Sequence, residues 1–243
     1  MKLVFNHLPK CGGMSVTEAL AGVFGNAVGR YQGHDWDRLR ALLDDPDVPA
    51  IAAHLPPPVP DDVRAALFAP DTVLITVVRD PVARLQSLYS HYRAAGPANH
   101  VCRQGSLSAI LDHPELDFYE RSSQSEQIAL RRGIRRADPV LTTLAHHYAV
   151  IAPLENLGSL LQILHEHGLC RDPRPPHSNR SQSHAGRALT AEEAARVRRR
   201  CALDTALHRH VLGCGCLTNP PLMERLHRVR LPDAENAARA GGG

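Results

Sequence analysis

The chain has 243 residues, of which 43% are hydrophobic and 22% charged, and its formal net charge is +3. That length and balance fit a folded chain with a sizeable core and exclude a low-complexity or disordered one. The charge is too small to argue for a nucleic-acid partner. The start of the chain shows neither a secretory leader nor a membrane span, because Leu3-Val4-Phe5 is followed at once by polar Asn6. A cytoplasmic location is therefore expected. The six cysteines are scattered, and Cys214-Gly215-Cys216 is too tight for a zinc knuckle and lacks a second pair. Reduced thiols and no metal are expected.

The apolar run at residues 3–5 reads as a strand. It feeds into Asn6-His7-Leu8-Pro9-Lys10-Cys11-Gly12-Gly13-Met14-Ser15, and residues 15–24 read as a helix. A glycine-containing turn between a strand and a helix N-terminus is a place to hold phosphate or sulfate. Gly12 and Gly13 permit close approach of the backbone, the helix dipole favours an anion, and Ser15 can cap or donate its hydroxyl. Lys10 adds a mobile ammonium; it and Lys2 are the only lysines of the chain. An ordinary tight turn explains a glycine pair as readily. A Walker A loop does not fit, since its lysine follows the second glycine whereas Lys10 precedes both.

Residues 50–53 form a second strand-like run, ending at His54, and a short helix is expected at 61–68, after Pro56-Pro57-Pro58. Residues 72–78 are nearly continuous in β-branched side chains, as a central parallel strand requires. Arg79 follows at its carboxyl end, then Asp80 as a candidate N-cap and Pro81 in the first turn of a helix over 82–94. On that helix Ala83, Ser87 and His91 share a face. Arg79 and Ser87 can grip a second phosphate, one by charge and one by hydroxyl; a capped amphipathic helix with a solvated arginine is the plainer alternative. Further helices are expected at 123–132 and 155–167, with a strand at 148–152 between them. Residues 171–187 read as a long loop. Thr190 and Glu193 fit a capping box opening one long helix toward Leu212. The arginine clusters at 131–136 and 196–200 read most simply as solvated helix faces. Alternating strands and helices predict an α/β fold, a central parallel sheet flanked by helices, in a single domain over 1–232 with a frayed tail at 233–243.

Together the two anion elements resemble the PAPS-dependent sulfotransferase superfamily (PAPS is adenosine 3′-phosphate 5′-phosphosulfate), most nearly the carbohydrate group related to heparan sulfate 2-O-sulfotransferases. His7-Leu8-Pro9-Lys10-Cys11-Gly12-Gly13-Met14-Ser15 fits a loop reading H-x-P-K-T-G-G-T-S, with Cys11 and Met14 in place of threonines. Residues 79–91 fit R-D-P-x-x-R-x-x-S-x-Y-x-H. Glu155-Asn156-Leu157, His177-Ser178-Asn179-Arg180-Ser181 and Asp204 resemble later parts of the family pattern more loosely.

The resemblance implies a P-loop-NTPase-like sulfotransferase fold. It implies PAPS as donor, with adenosine 3′,5′-bisphosphate as product, and an acceptor hydroxyl on a glycan or glycosylated small molecule. Pro9, Lys10, Cys11, Gly12, Gly13, Met14 and Ser15 would hold the 5′-phosphosulfate, and Arg79 and Ser87 the 3′-phosphate. Lys10 would stabilise the leaving phosphate. His54, at the end of its strand, is the expected base, with His7 the second choice, more suited to orienting the loop. The adenine is expected against residues 122–124 and 171–187, and His34-Asp35-Trp36 and residues 56–60 against the acceptor. Two other readings stand beside this one, a P-loop-type nucleotide-dependent kinase and a nucleotide-binding protein without turnover. The acceptor and the oligomeric state are not legible in the sequence.

Overall fold

A computed structural model describes residues 1–94, 123–175 and 189–229, with residues 92–94 as backbone only. The predicted tail at 233–243, Ser122 and most of the predicted loop at 171–187 lie outside the described residues. The elements in chain order are β1 (Lys2–Asn6), α1 (Gly13–Phe24), β2 (Val28–Gln32), α2 (Trp36–Asp44), β3 (Ala50–His54), α3 (Asp61–Leu67), β4 (Thr72–Val78), α4 (Pro81–Ala94), α5 (Gln124–Ala129), α6 (Ala137–His147), β5 (Tyr148–Pro153), α7 (Leu157–Glu166), α8 (Ala191–Arg200), α9 (Ala202–Cys214), β6 (Leu217–Thr218) and α10 (Pro220–Leu226). The protein is α/β, a sheet flanked by helices, as a sulfotransferase fold requires.

The sheet has the order β2-β3-β1-β4-β5-β6. Every pairing is parallel except β5 with β6. β1 and β4 are buried along almost their whole length, which is why they read as continuous apolar runs rather than alternating ones. β1 is also where the strand order reverses, with β2 and β3 on one side and β4 and β5 on the other. In open α/β sheets the crevice for ligands lies outside the carboxyl ends at such a point. Asn6, His54 and Val78 end the three strands that meet there.

At the opposite end of β1 the other lysine is structural. Lys2 Nζ donates to the carbonyls of Asp45 and, at 2.6 Å, of Val48, and so holds the turn after α2. Burial lowers the basicity of this amine, and the Asp45 carboxylate opposes that shift.

Three expected helices differ in extent. The one predicted at 123–132 stops at Ala129, because Leu130 adopts a left-handed conformation (φ 55°) and the Arg131 N–H turns back to the Glu126 carbonyl. The helix predicted at 155–167 begins as a 3-10 turn, Leu154–Asn156, before α7. The long helix predicted from Thr190 opens with the expected capping box but breaks at Cys201 into α8 and α9. β2, α2, α6, β6 and α10 have no counterpart among the elements expected from the sequence. β2 carries Gly29 and two exposed side chains at the sheet edge, and β6 has only two residues.

The break at Cys201 puts Asp204, 3% exposed, against the start of α5. Its carboxylate accepts the Gln124 N–H (2.8 Å), the Ser125 N–H (2.9 Å) and the Ser125 hydroxyl (2.6 Å). A buried carboxylate is tolerated only with such partners. α4 is docked separately. Val82, Leu85 and Tyr89 pack with Val197 of α8, and Arg198 Nε lies 3.6 Å from Asp80 Oδ2. Asp204→Ala strands three donors and is expected to lower unfolding free energy by about 3 kcal/mol in urea denaturation; a change within about 0.5 kcal/mol contradicts this anchor.

Candidate functional site

The turn after β1 is held in a strained shape by arginines from the neighbouring element. Lys10 has φ 65° and Gly12 φ 78°. A left-handed lysine is unfavourable by about 1–2 kcal/mol and persists only where its surroundings impose it. Here the carbonyls on both sides of it are taken. Arg84 Nε donates to the Pro9 carbonyl at 3.0 Å, and Arg79 Nη1 donates to the Lys10 carbonyl at 2.9 Å. Arg84 is 3% exposed on α4. Gly12 is required twice over, by its φ and because a Cβ there would lie 2.5 Å from Leu154 Cδ1.

Lys10 is half-buried, and among the described residues its ammonium has neither an ion-pair nor a hydrogen-bond partner. Burial lowers its basicity, and the Arg79 guanidinium lowers it further. Burial likewise depresses Arg79, opposed by Cys11, Glu155 and Asp80. Two cations thus share a partly desolvated place, with no carboxylate in ion-pair contact with either among the described residues. Such a place favours a bound anion.

The two histidines expected near the turn meet directly. The His7 and His54 rings are 4.0 Å apart, and Phe5 stacks with His7 at 5.4 Å. Burial, with His54 and Lys10 close by, pushes His7 down to about 3. His54 is also lowered by burial, and the His7 backbone partly opposes this. Both rings are therefore neutral at physiological pH. His54 Nδ1 is buried and has no hydrogen-bond partner among the described residues. The His7 ring also explains Gly13, since a Cβ there would fall 1.6 Å from His7 Nε2. His7 packs against the start of α1 and so orients the turn.

The second element forms as its sequence suggests. Asp80 Oδ1 accepts the N–H groups of Val82 (3.1 Å) and Ala83 (3.0 Å), and Pro81 is the first residue of α4. Arg79 is brought beside Lys10. Ser87 is half-buried two turns into α4, and its hydroxyl makes no hydrogen bond among the described residues. Ser15 is buried in the first turn of α1, whose N-cap is Gly12, so it does not cap that helix.

The two departures from the family loop lie in different settings. Met14 is 61% exposed. Cys11 is buried, and its thiol donates to Gln124 Oε1 at 3.4 Å. Burial pushes this thiol up to about 11, so it stays protonated. Three roles were not read from the sequence: Arg84 as a clamp, Gln124 as a tie rather than part of the expected adenine wall, and Asp204 as an anchor. Arg84 stood inside the quoted motif, and its burial amid an apolar helix face was the signal. Gln124 has no signature, because a glutamine announces neither charge nor periodicity. Glu155 and buried His208, 3.1 Å apart at Oε2 and Nε2, add a further polar pair beyond β5.

Among the described residues no group of three or more His, Cys, Asp or Glu side chains could hold a metal, and no helix is long and apolar enough to cross a membrane. The contact of His7 with Gly13 is directly testable. Gly13→Ala is expected to lose about 1–3 kcal/mol through overpacking, and a double variant with His7→Ala to recover most of that loss; equal losses in the single and double variants by thermal unfolding contradict the contact.

Residues 48–132 match the family model described as Galactose-3-O-sulfotransferase. No curated protein matches the chain. The matched stretch holds His54, Arg79, Arg84, Ser87 and Gln124 and leaves the Lys10 turn outside it. The match corrects the expected location: galactose-3-O-sulfotransferases are Golgi-resident enzymes, not cytoplasmic ones. The lack of an apolar run beside β1 was no guide to compartment, because a catalytic domain folds with the same polar surface on either side of a membrane. Over residues 48–132 the chain is similar to the galactose-3-O-sulfotransferases, a carbohydrate sulfotransferase family within the PAPS-dependent superfamily.

Proposed function

We propose that the chain transfers a sulfuryl group from PAPS to a saccharide hydroxyl, in the crevice outside β3, β1 and β4. The observation that carries this reading is the meeting of Lys10 and Arg79, two half-buried cations from different strand ends joined through the Lys10 carbonyl. The family match supports sulfuryl transfer to a carbohydrate-type acceptor, and that family implies PAPS as co-substrate. A terminal galactoside is the first acceptor to test.

The residues divide the work by chemistry. The turn from Pro9 through Cys11, Gly12, Gly13 and Met14 to Ser15 cradles the 5′ end of the donor, at the N-terminus of α1. Arg79 uses Nη1 on the Lys10 carbonyl and keeps its other N–H groups for the 3′-phosphate; Ser87 adds a hydroxyl. His54 takes the proton of the acceptor hydroxyl. With Nδ1 buried, Nε2 is the nitrogen that meets the acceptor. The acceptor oxygen bonds to sulfur as the bond from sulfur to the bridging oxygen breaks, and the electron pair leaves with the 5′-phosphate. Lys10 neutralises the charge growing there. Positioning and charge stabilisation carry such transfers, with little covalent work for the protein.

Labelled sulfate transfer from PAPS to a glycan panel tests the reading. Lys10→Ala is expected to lower kcat about 10²–10³-fold and His54→Ala about 10²–10⁴-fold, both with unchanged circular dichroism. Full turnover in both variants sinks the assigned roles. Arg79→Ala is expected to raise the donor KM more than it lowers kcat. The pH profile carries a sign. The base must be neutral, and burial holds His54 below its ordinary 6.5. Activity is therefore retained down through pH 6.5 and lost only as pH falls through the depressed value; an acid limb centred above 6.5 contradicts His54 as the base.

A further inference from the structure

We infer that Gln124 is a positioning residue that sets the spacing between the two anion-holding elements, so that a nucleotide with separate 5′ and 3′ anionic groups is gripped at both ends. The inference rests on the proposed donor; Gln124 lies in the stretch expected to meet the adenine, but at 1% exposed it offers the donor almost no surface.

The geometry is that of a missing strand. β4 pairs with β5 as far as Val78 and Pro153, and a proline brings no N–H to continue the ladder. One residue on, the Gln124 side chain supplies what a strand would. Its Oε1 accepts the Arg79 N–H at 2.8 Å, and its Nε2 donates to the Arg79 carbonyl at 2.8 Å. A carboxamide carries a donor and an acceptor on one planar group, as a peptide does, and no charged side chain can copy that pairing. The same Oε1 accepts the Cys11 thiol, so one side chain holds the backbone of the second element and the underside of the first turn.

Gln124 is itself fixed. It is 1% exposed, and its own N–H is held by Asp204. Cys11, where the family loop has threonine, is thus a tie between the elements. Arg79 closes the loop of contacts by its bond to the Lys10 carbonyl. Fixing two half-sites at one spacing raises affinity for a ligand that spans both and does little for a ligand that meets one.

The full-length chain titrated calorimetrically with adenosine 3′,5′-bisphosphate and with adenosine 5′-monophosphate tests this. Gln124→Met, close in volume and without hydrogen-bonding groups on its end, is expected to weaken bisphosphate binding about tenfold and monophosphate binding less than about twofold. Equal weakening of both ligands, as a merely structural defect would give, overturns the inference, as does no weakening of either. Gln124→Glu keeps the acceptor oxygens and sets a carboxylate oxygen against the Arg79 carbonyl. It is expected to show the same selective loss, and it decides the matter if Gln124→Met does not fold. A wild-type chain that binds the bisphosphate no more tightly than the monophosphate overturns the donor reading itself, and the spacing role with it.

Discussion

The bond from the Arg79 guanidinium to the Lys10 carbonyl is the contact on which the site depends. It joins the turns after two adjacent strands and, with the Arg84 bond to the Pro9 carbonyl, holds a lysine in a conformation it would otherwise leave. The ammonium group is placed by this clamp, since its own side chain has no partner among the described residues. Each arginine is placed in turn from behind. α4 is capped by Asp80 and packed on α8 through Val82, Leu85 and Tyr89. The C-terminal helices therefore act on the first turn of the chain, although no residue of theirs enters it.

The same crowding sets the protonation states. Burial weakens Lys10 as a base, strips the histidines of their protons and keeps Cys11 a thiol. These shifts have one cause, the removal of water from the strand ends. The outcome is a cationic floor with a neutral imidazole beside it. A protonated His7 would sit against both His54 and Lys10, so the neutral state of that ring is part of what allows the lysine to remain charged there.

Much of this was legible in the sequence, and the reason differs between elements. β1 and β4 declared themselves because central parallel strands are apolar on both faces. The two anion elements declared themselves because glycines, a lysine, a capping aspartate and an arginine stand at fixed offsets. β2 did not, since an edge strand containing Gly29 has no such run. The break at Cys201 was hidden because the Asp204 that follows it is engaged by Gln124 and Ser125, in a segment some eighty residues earlier. Gln124 was hidden for a related reason. Two of its three side-chain bonds go to the backbone of Arg79, which any residue could have supplied.

The parallel order β3-β1-β4 has a metrical consequence. Neighbouring strands are about 4.8 Å apart, so His54 and Arg79 stand at opposite flanks of Lys10, roughly two such steps from one another. Hydrogen-bond pitch, which no side-chain substitution alters, is then the ruler for the reaction. Under the proposed chemistry an incoming oxygen arrives from the β3 flank, the departing one stays at the turn after β1, and the 3′-phosphate lies toward β4. The line along which sulfur changes hands runs across the strands, and the ladder sets its length before any loop takes part.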